Sequence, residues 1–313
     1  MESTAASKTS TANSESLVLV PRINQFKIAL CQLMVTTDKT TNLDSARNML
    51  QEAADKGAKL LVLPEMWVCP YSHEYFAKCA EELDKEESSQ AFSMLSKVAR
   101  SRKITIVGGS LPERKNGKMY NTCCVFGPDG KLKAKHSKLH LFDYYESAEA
   151  LIKESDSFTA GDTPTVVDTD VGRIGIGICH DIRFPELAML YRAKGADLII
   201  YPGAFNMSTG KMLWELETKA RAIDNQVFVA VCSPCRDSAG SYTIWGHSMI
   251  VGPSGEIKGR AEHEETIVIA EINYAENQLQ RLKICVEGAL KCSSHKRDPK
   301  LPSTHPREGG LET

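Results

Sequence analysis

The order of hydrophobic and polar positions along the chain predicts alternating strands and helices. The apolar runs FKIALCQL and AKLLVLPE predict buried strands, and the amphipathic stretch between them, from about Asn42 to Gly57, predicts a helix. Further helical stretches are expected near 73–83 and 90–101. Strands that alternate with helices in this way are typical of an α/β fold with parallel strands.

After this first stretch the pattern changes to hairpins and then begins again. ITIVGGSLPE and MYNTCCVFG predict strands, and the turn pairs Asn-Gly at 116–117 and Asp-Gly at 129–130 predict hairpins after them. RIGIGI, DLIIYP and VFVAVCS then predict three more strands, with helices from Pro185 and over 211–223 between them. A last hairpin turn is expected at 253–256.

Residues 27–136 and 173–272 therefore resemble two copies of one unit. LLVLPE corresponds to LIIYPG, ITIVGG to VFVAVC, and FGPDGK to VGPSGE, in the same order in both halves. Two mixed sheets of this kind, each covered by helices on one face, bury their other faces by stacking. The fold class predicted is an α-β-β-α sandwich of two stacked mixed sheets with an internal pseudo-two-fold repeat.

Composition sets the expected domain boundaries. The chain has 313 residues, of which 42% are hydrophobic, enough to bury a large core. Residues 1–24 are mostly Ser, Thr and Ala, so we predict a disordered tail there, and a second polar tail is expected over 286–313. One domain is predicted over 25–285, because the two halves share one core.

Charge and cysteine usage narrow the class of protein. With 38 basic and 40 acidic residues and a formal net charge of -2, nothing indicates binding to nucleic acid or to a membrane. No apolar stretch has the length of a membrane span or a secretory signal, so a cytoplasmic protein is expected. The ten scattered cysteines suit buried, reduced thiols, and we expect packing rather than a metal site at Cys232 and Cys235.

Three polar residues follow apolar strands, where an α/β sheet binds its ligands. Cys179 lies between RIGIGI and a helix from Pro185, a junction where backbone N–H groups can activate a thiol. Glu65 ends the run LLVLPE, where partial burial would raise the pKa of a general base, and Lys138 can stabilise an oxyanion. Taken singly, each has a structural alternative: a buried thiol, a helix cap and a solvated surface lysine.

Several motifs together resemble the nitrilase (carbon–nitrogen hydrolase) superfamily, and in particular its omega-amidase branch. The resemblance spans residues 26 to about 283. It is carried by the segments LPE, GGSLPE, YNT, KLHLFD, GICHDIRFPELAML, PGAFNMSTG, WELETKARAIDNQVFVA and WGHSMIVGPSGEI.

This resemblance implies roles for four residues. It makes Cys179 the nucleophile, Glu65 the general base, Lys138 the partner of the oxyanion and Glu154 a second, supporting carboxylate. The implied reaction is a two-step acyl transfer through a thioester, in which ammonia leaves first and water then releases a carboxylic acid. It needs neither a metal nor an organic cofactor.

The resemblance also implies a small-molecule substrate and an assembly. Members of this branch hydrolyse the terminal amides of 2-oxoglutaramate and 2-oxosuccinamate, and a homodimer is expected. We expect Arg183 to bind the substrate carboxylate and Tyr71 and Phe205 to line the pocket. The alternative for Arg183 is a brace that pairs with Glu186 or another carboxylate.

Three departures from the family pattern flank the expected pocket. His180 replaces a usual Tyr, Leu213 replaces a common His, and YYESAE at 144–149 replaces an acidic turn. His180 is a candidate substrate-binding residue, although an imidazole at a helix entry is also a common structural brace. Two other classes therefore stay open: a related thiol amidase acting on deaminated glutathione, an N-carbamoyl amine or a nitrile, and a non-catalytic scaffold with the same fold.

Overall fold

The computed structural model describes residues 24–83, 89–145 and 151–284, with the backbone alone at 151 and 152. The predicted N-terminal tail, apart from Asn24, and the predicted C-terminal tail lie outside the described residues. So do residues 146–149 of the atypical segment.

The chain forms fourteen strands and six α-helices within the described residues. The strands are β1 (Gln25–Gln32), β2 (Ala58–Val62), β3 (Thr105–Lys115), β4 (Lys118–Phe126), β5 (Leu132–Ser137), β6 (Asp143–Tyr145), β7 (Leu151–Lys153), β8 (Thr165–Thr169), β9 (Gly172–Ile176), β10 (Leu198–Pro202), β11 (Phe228–Cys232), β12 (Met249–Val251), β13 (Ile257–Arg260) and β14 (Thr266–Asn273). The helices are α1 (Lys39–Asp55), α2 (His73–Cys79), α3 (Gln90–Arg102), α4 (Pro185–Ala193), α5 (Met207–Asn225) and α6 (Ala275–Lys283).

Two six-stranded mixed sheets confirm the predicted repeat. The first has the order β14-β1-β2-β3-β4-β5 and the second the order β8-β9-β10-β11-β12-β13. In each, the second, third and fourth strands are parallel and the others are antiparallel to their neighbours. The three sequence correspondences therefore match β2 with β10, β3 with β11, and the β4–β5 turn with the β12–β13 turn.

Two apolar layers hold the sandwich together. In one cluster, side chains of the first sheet such as Ile28 and Val62 pack with side chains of the second such as Ile174 and Val229. In another, the outer face of the first sheet packs against α1 and α3. Each fully buried aliphatic side chain contributes about 1.5–3 kcal/mol relative to exposure, so stacking the two inner faces is a large term in stability.

Helix ends differ from the predicted bounds for local reasons. Helix α1 begins three residues before the predicted Asn42, because the Asp38 side chain caps it by accepting a hydrogen bond from the Thr41 N–H at 2.6 Å. Helix α2 ends at Cys79 rather than near 83, because the backbone of Glu81 pairs with β3 instead. Helix α5 likewise begins before the predicted 211, at an Asn206 cap.

Candidate active site

Cys179 lies at a sharp turn after β9. The chain forms a short 3₁₀ turn, Cys179–Arg183, before α4 begins at Pro185, so the predicted strand-to-helix junction contains an extra turn. Cys179 has a φ of 49°, in the left-handed region that a residue with a side chain rarely adopts. This conformation is held by the surrounding contacts, and it lets the thiol face a pocket while the residue is 5% exposed.

The Asp181 carboxylate holds this turn in place through hydrogen bonds. It accepts hydrogen bonds from the Ile178 N–H at 2.9 Å and from the His140 N–H at 2.9 Å, and it contacts His136 Nε2 at 3.1 Å and His140 Nδ1 at 2.7 Å. Burial alone would raise the pKa of Asp181, but the hydrogen bonds from the two histidines hold it well below its usual range. Asp181 is therefore ionised and acts as an anchor for the backbone on both sides.

Glu65 reaches the same place from β2. The chain turns after Pro64, and the Pro64 carbonyl accepts a hydrogen bond from the Ser110 N–H at 3.0 Å. This close approach needs a glycine on the facing strand, because a Cβ at Gly109, whose φ is 63°, would lie 2.2 Å from that carbonyl oxygen. The irregularity of β3 at Gly108-Gly109 thus makes room for the segment that carries Glu65.

Lys138 and Glu154 complete a buried charged cluster with Glu65. The Lys138 ammonium lies 3.0 Å from Glu65 Oε1 and 2.8 Å from Glu154 Oε2, and all three side chains are fully buried. Glu154 Oε2 also accepts a hydrogen bond from the Phe142 N–H at 2.6 Å. Two carboxylates thus share one ammonium group, and charges buried in this way need such partners.

The cluster faces the thiol of Cys179. Among the described residues Glu65 Oε2 has no hydrogen-bond partner, and the Glu65 carboxyl group and the Cys179 thiol lie close enough for each to shift the pKa of the other. The thiol also interacts with the Ala204 backbone. Glu65 is therefore placed to accept a proton from Cys179, and the other oxygen of the same carboxylate is held by Lys138.

Burial and charge set the protonation states in this cluster. Burial raises the pKa of Glu65, and the Lys138 charge opposes that rise. Burial would lower the pKa of Lys138, but the carboxylates of Glu154 and Glu65 raise it well above its usual value, so the ammonium stays charged. Burial and the Glu65 charge raise the pKa of Cys179 well above its usual range. Cys179 is thus a neutral thiol at rest, and to act as the predicted nucleophile it needs a base.

A pocket of about 370 Å³ opens over Cys179. Its walls are mostly apolar and aromatic, and they are formed by Phe142, Tyr144, Cys179, His180, Arg183, Phe205, Thr209, Met212, Leu213 and Tyr242. Three of the four residues expected to bind substrate, His180, Arg183 and Phe205, therefore lie in its wall.

Tyr71 is not among these wall residues, and its expected role in binding substrate stays a prediction. Its ring stacks on Tyr242 with centroids 4.8 Å apart, and it meets Phe76 edge to face at 5.4 Å. Tyr242, which donates its hydroxyl hydrogen to the Ala204 carbonyl at 2.9 Å, lines the pocket. Tyr71 is buried behind the Tyr242 ring, where burial and then the charges of Glu154, Glu65 and Cys179 raise the pKa of its hydroxyl well above the usual value.

Arg183 serves partly as the brace that the sequence left open, but with another partner than Glu186. Its Nη1 lies 2.8 Å from Glu217 Oε1 on α5, and its side chain is 40% exposed in the pocket wall. Because the pair uses one nitrogen of the guanidinium, other N–H groups of Arg183 stay available to a ligand. A brace and a carboxylate-binding role are therefore compatible.

His180 lies beside Arg183 as a neutral ring. Burial, with the nearby charges of Lys138 and Arg183, lowers the pKa of His180 to about 4. Its ring meets Phe142 and Phe184 edge to face, at 5.3 and 5.6 Å between centroids. His180 is thus uncharged near neutral pH and extends the apolar wall.

Comparison with known proteins agrees with this geometry. The model of the family described as carbon-nitrogen hydrolase matches residues 27–281. The chain belongs to the carbon–nitrogen hydrolase family.

Individual relatives support the assignment. The chain is 58% identical over 256 residues to the chloroplastic omega-amidase of Arabidopsis thaliana, which covers 82% of this chain and 69% of the relative. It is 45% identical over 251 residues to omega-amidase NIT2 of Homo sapiens, covering 80% and 90%. Saccharomyces cerevisiae Nit3, a member of branch 10 of the nitrilase superfamily, superposes with a TM-score of 0.78 at 41% identity, covering 84% and 95%.

Family membership confirms the predicted resemblance and the sandwich fold, and it makes the chain a hydrolase of carbon–nitrogen bonds. The roles of Glu65, Lys138, Glu154 and Cys179 stay predictions, although the structure brings the four together. No helix in the described ranges is long and apolar enough to cross a membrane. Within the same ranges, no group of three or more His, Cys, Asp or Glu side chains is arranged to hold a metal ion.

Sequence reasoning missed several residues of this carbon–nitrogen hydrolase site. Asn121 and Asp181 lie inside the family motifs YNT and GICHDIRFPE. The residues that they contact, Glu65 and His136, lie far from them in sequence. Thr209 and Tyr242 line the pocket from α5 and from the loop before β12, with no sequence signal that links them to Cys179. Two positions at which the sequence departs from the family pattern also lie in the pocket wall. They are Leu213 and, from the 144–149 segment, Tyr144.

Proposed function

We propose that this carbon–nitrogen hydrolase is an omega-amidase that hydrolyses the terminal amide of 2-oxoglutaramate or 2-oxosuccinamate. The observation that carries the proposal is a buried Glu65–Lys138–Glu154 cluster beside the Cys179 thiol, in which one oxygen of the Glu65 carboxylate is paired with the ammonium group and the other is unpartnered among the described residues. It is supported by an apolar pocket with one cationic side chain, and by relatives whose names are omega-amidase.

The first step is acylation of Cys179. Glu65 takes the thiol proton as sulfur attacks the amide carbon, and the charge that develops on the carbonyl oxygen is stabilised by Lys138 and the backbone N–H of His180. The raised pKa of Glu65 suits this exchange, because it brings the base nearer to the thiol in proton affinity. Glu65 then passes its proton to the leaving nitrogen, and ammonia departs.

The second step is hydrolysis of the thioester. A water molecule takes the position of the departed ammonia and gives a proton to Glu65 as its oxygen attacks the acyl carbon. The same two donors stabilise the second oxyanion, and collapse of the intermediate returns the proton to sulfur. Glu154 keeps Lys138 charged and fixed throughout, because its carboxylate holds the ammonium at 2.8 Å.

The far end of the substrate is recognised by the pocket wall. Arg183 binds the free carboxylate with the N–H groups that Glu217 does not use, and the short carbon chain packs against Phe205. His180 stays neutral and leaves the positive charge of Arg183 as the main attraction for an anion. Tyr71 supports the wall from behind Tyr242.

The remaining expectations are part of the same proposal. A cytoplasmic enzyme of glutamine and asparagine metabolism fits these substrates, with 25–285 as the folded domain. A homodimer is supported by apolar side chains on one side of α5, where Met212, Leu216 and Ile223 are 61%, 65% and 48% exposed. Side chains of this size are seldom so exposed in a group unless another surface covers them.

The test is ammonia release by the purified chain from 2-oxoglutaramate, with succinamate, an N-carbamoyl amine and a simple nitrile alongside. We expect release from the two carboxylate-bearing amides and its loss, by at least about 10³-fold, in Cys179→Ala. Cys31→Ala is the matched control, because Cys31 is an equally buried thiol in β1. Release from the N-carbamoyl amine or nitrile alone would favour a related thiol amidase, and release from none would favour the scaffold.

A further inference from the structure

Asn121 lies at the centre of the charged cluster, with no role assigned to it so far. It belongs to β4 and is fully buried. Its side-chain amide nitrogen donates to Glu65 Oε1 at 2.8 Å and to Glu154 Oε1 at 3.1 Å. One neutral group therefore bridges both carboxylates of the site.

The backbone of Asn121 also holds the third member of the cluster. Its carbonyl accepts a hydrogen bond from the Lys138 N–H at 2.8 Å, where the chain leaves β5. The Lys138 ammonium in turn lies between the two carboxylates that the Asn121 amide binds. Asn121 thus fixes the backbone of Lys138 directly, and it fixes the Lys138 ammonium group through the two carboxylates.

The charge balance of the cluster explains why a neutral donor suits this place. Two carboxylates face one ammonium, so their mutual repulsion favours protonation of one of them. A donated N–H favours the ionised carboxylate without adding a charge that would hold Glu65 too tightly to accept a proton. An amide with two N–H groups can do this for both carboxylates at once.

We propose that Asn121 is a positioning residue that holds Glu65 in its ionised, proton-accepting form and fixes Glu65 and Glu154 relative to each other around Lys138. This inference rests on the proposed function in taking Glu65 as the base for Cys179. It does not depend on which amide is the substrate.

Several titratable groups surround Glu65 and enter the expected pH dependence. They come from different segments and are Lys138, Glu154, Cys179, Tyr71 and Tyr242, with His180 near Lys138 and Glu154. The two tyrosines have pKa values raised well above the usual range, and that of His180 is lowered to about 4. None of these three changes charge between pH 5 and 9, so a shift of the profile in that range reports on Glu65 and on the proton that it takes from Cys179.

The test replaces Asn121 by Asp, which has the same shape but loses both donors when ionised. Removing the donors, or adding a negative charge, raises the pKa of Glu65 and of the Cys179 thiol, so the reaction needs a higher pH. The rate of alkylation of Cys179 by iodoacetamide is followed on its tryptic peptide as a function of pH. We expect the midpoint of this pH profile to move upward by about one pH unit. The acid limb of kcat/KM for 2-oxoglutaramate should move the same way.

Asn277→Asp is the matched control. Asn277 is also fully buried, its amide donates to the Asp197 carbonyl at 2.9 Å, and its Oδ1, like that of Asn121, has no partner among the described residues. We expect this variant to lower Tm but to leave the alkylation profile of Cys179 unchanged. Should Asn121→Asp not fold, Asn121→Ser, which keeps one O–H donor, is expected to give a smaller shift in the same direction.

A folded Asn121 variant whose alkylation profile coincides with that of the unmodified chain would overturn the inference. Failure of the proposed function would look different, because ammonia release would be absent while the alkylation profile still shifted. A change in Tm alone, as expected for the control, would assign Asn121 a purely structural role and would also count against the inference.

Discussion

The two halves of the sandwich have the same strand order but different strand ends. In the first half, β2 is followed by Leu63, Pro64 and Glu65, while the neutral Asn121 comes from β4 and the charged Lys138 from the end of β5, farther along the same sheet. In the second half, the equivalent strand β10 ends in Pro202-Gly203. There the site residues are Cys179, which follows β9, and the part of the pocket wall that lies on α5.

Gly203 shows why the halves cannot be interchanged. A Cβ at this position would lie 3.5 Å from the Cys179 Cα and 3.0 Å from Trp214 Cζ3. A side chain here would therefore occupy the space beside Cys179. The first half supplies buried charges, and the second leaves room for a thiol and a ligand. The repeat therefore places equivalent strands, and the residues that follow those strands make the two halves chemically different.

The largest expected effect comes from breaking the charged half. Glu65→Gln keeps the shape of the side chain but removes the proton acceptor, so kcat should fall by about 10²–10⁴-fold with little change in KM. Steady-state kinetics on 2-oxoglutaramate measure it. Glu113→Gln is the control, because Glu113 is an equally buried carboxylate in the same sheet, paired with Lys135. Comparable kcat in the two variants would refute the role of Glu65.

A smaller effect is expected in the other half, at Arg183. Lysine cannot reproduce a planar two-point contact with a carboxylate, so Arg183→Lys should raise KM for 2-oxoglutaramate about tenfold. KM for a neutral amide such as butyramide should change much less, since that substrate has no carboxylate. Equal changes in KM for the two substrates would mean that Arg183 acts through its pair with Glu217 alone.

The smallest effect is expected at Gly203, which follows β10 where the first half has Glu65 after β2. Gly203→Ala adds one methyl group beside Cys179 and Trp214, and we expect a loss of about 1–3 kcal/mol in the free energy of unfolding, with a severalfold fall in kcat/KM. In the control Gly259→Ala, the Cβ would lie 3.1 Å from Val268, at the far edge of the second sheet. That variant should lose stability alone. An equal loss of kcat/KM in the two variants would show that activity does not depend specifically on the space at Gly203.

The parts of the molecule that depend on local pattern could be predicted from the sequence. The strands, the turns and the repeat follow from runs of apolar residues and Gly-containing turns, and Glu65, Lys138 and Cys179 follow from their places after strands. The bounds of α1 and α2 could not, because Asp38 and the Glu81 backbone fix them through specific hydrogen bonds.

The parts that depend on distant contacts were not predictable in the same way. Asn121 meets Glu65 across 56 positions of sequence, and Tyr242, from a loop of the second half, stacks on Tyr71 and lines the pocket wall. A single sequence holds no record of such contacts. The family resemblance supplied Glu154, whose position local pattern alone did not indicate.

The most direct test of the central claim, that the two halves meet in a thiol–carboxylate pair, is to detect the acyl-enzyme. The chain is mixed with 2-oxoglutaramate, quenched in acid within the first turnovers, digested and analysed by mass spectrometry. We predict that the peptide carrying Cys179 gains the mass of the acyl group, and that this adduct is absent in Cys179→Ala. Ammonia release that proceeds with the adduct on another residue, or that continues undiminished in Cys179→Ala, would contradict the account.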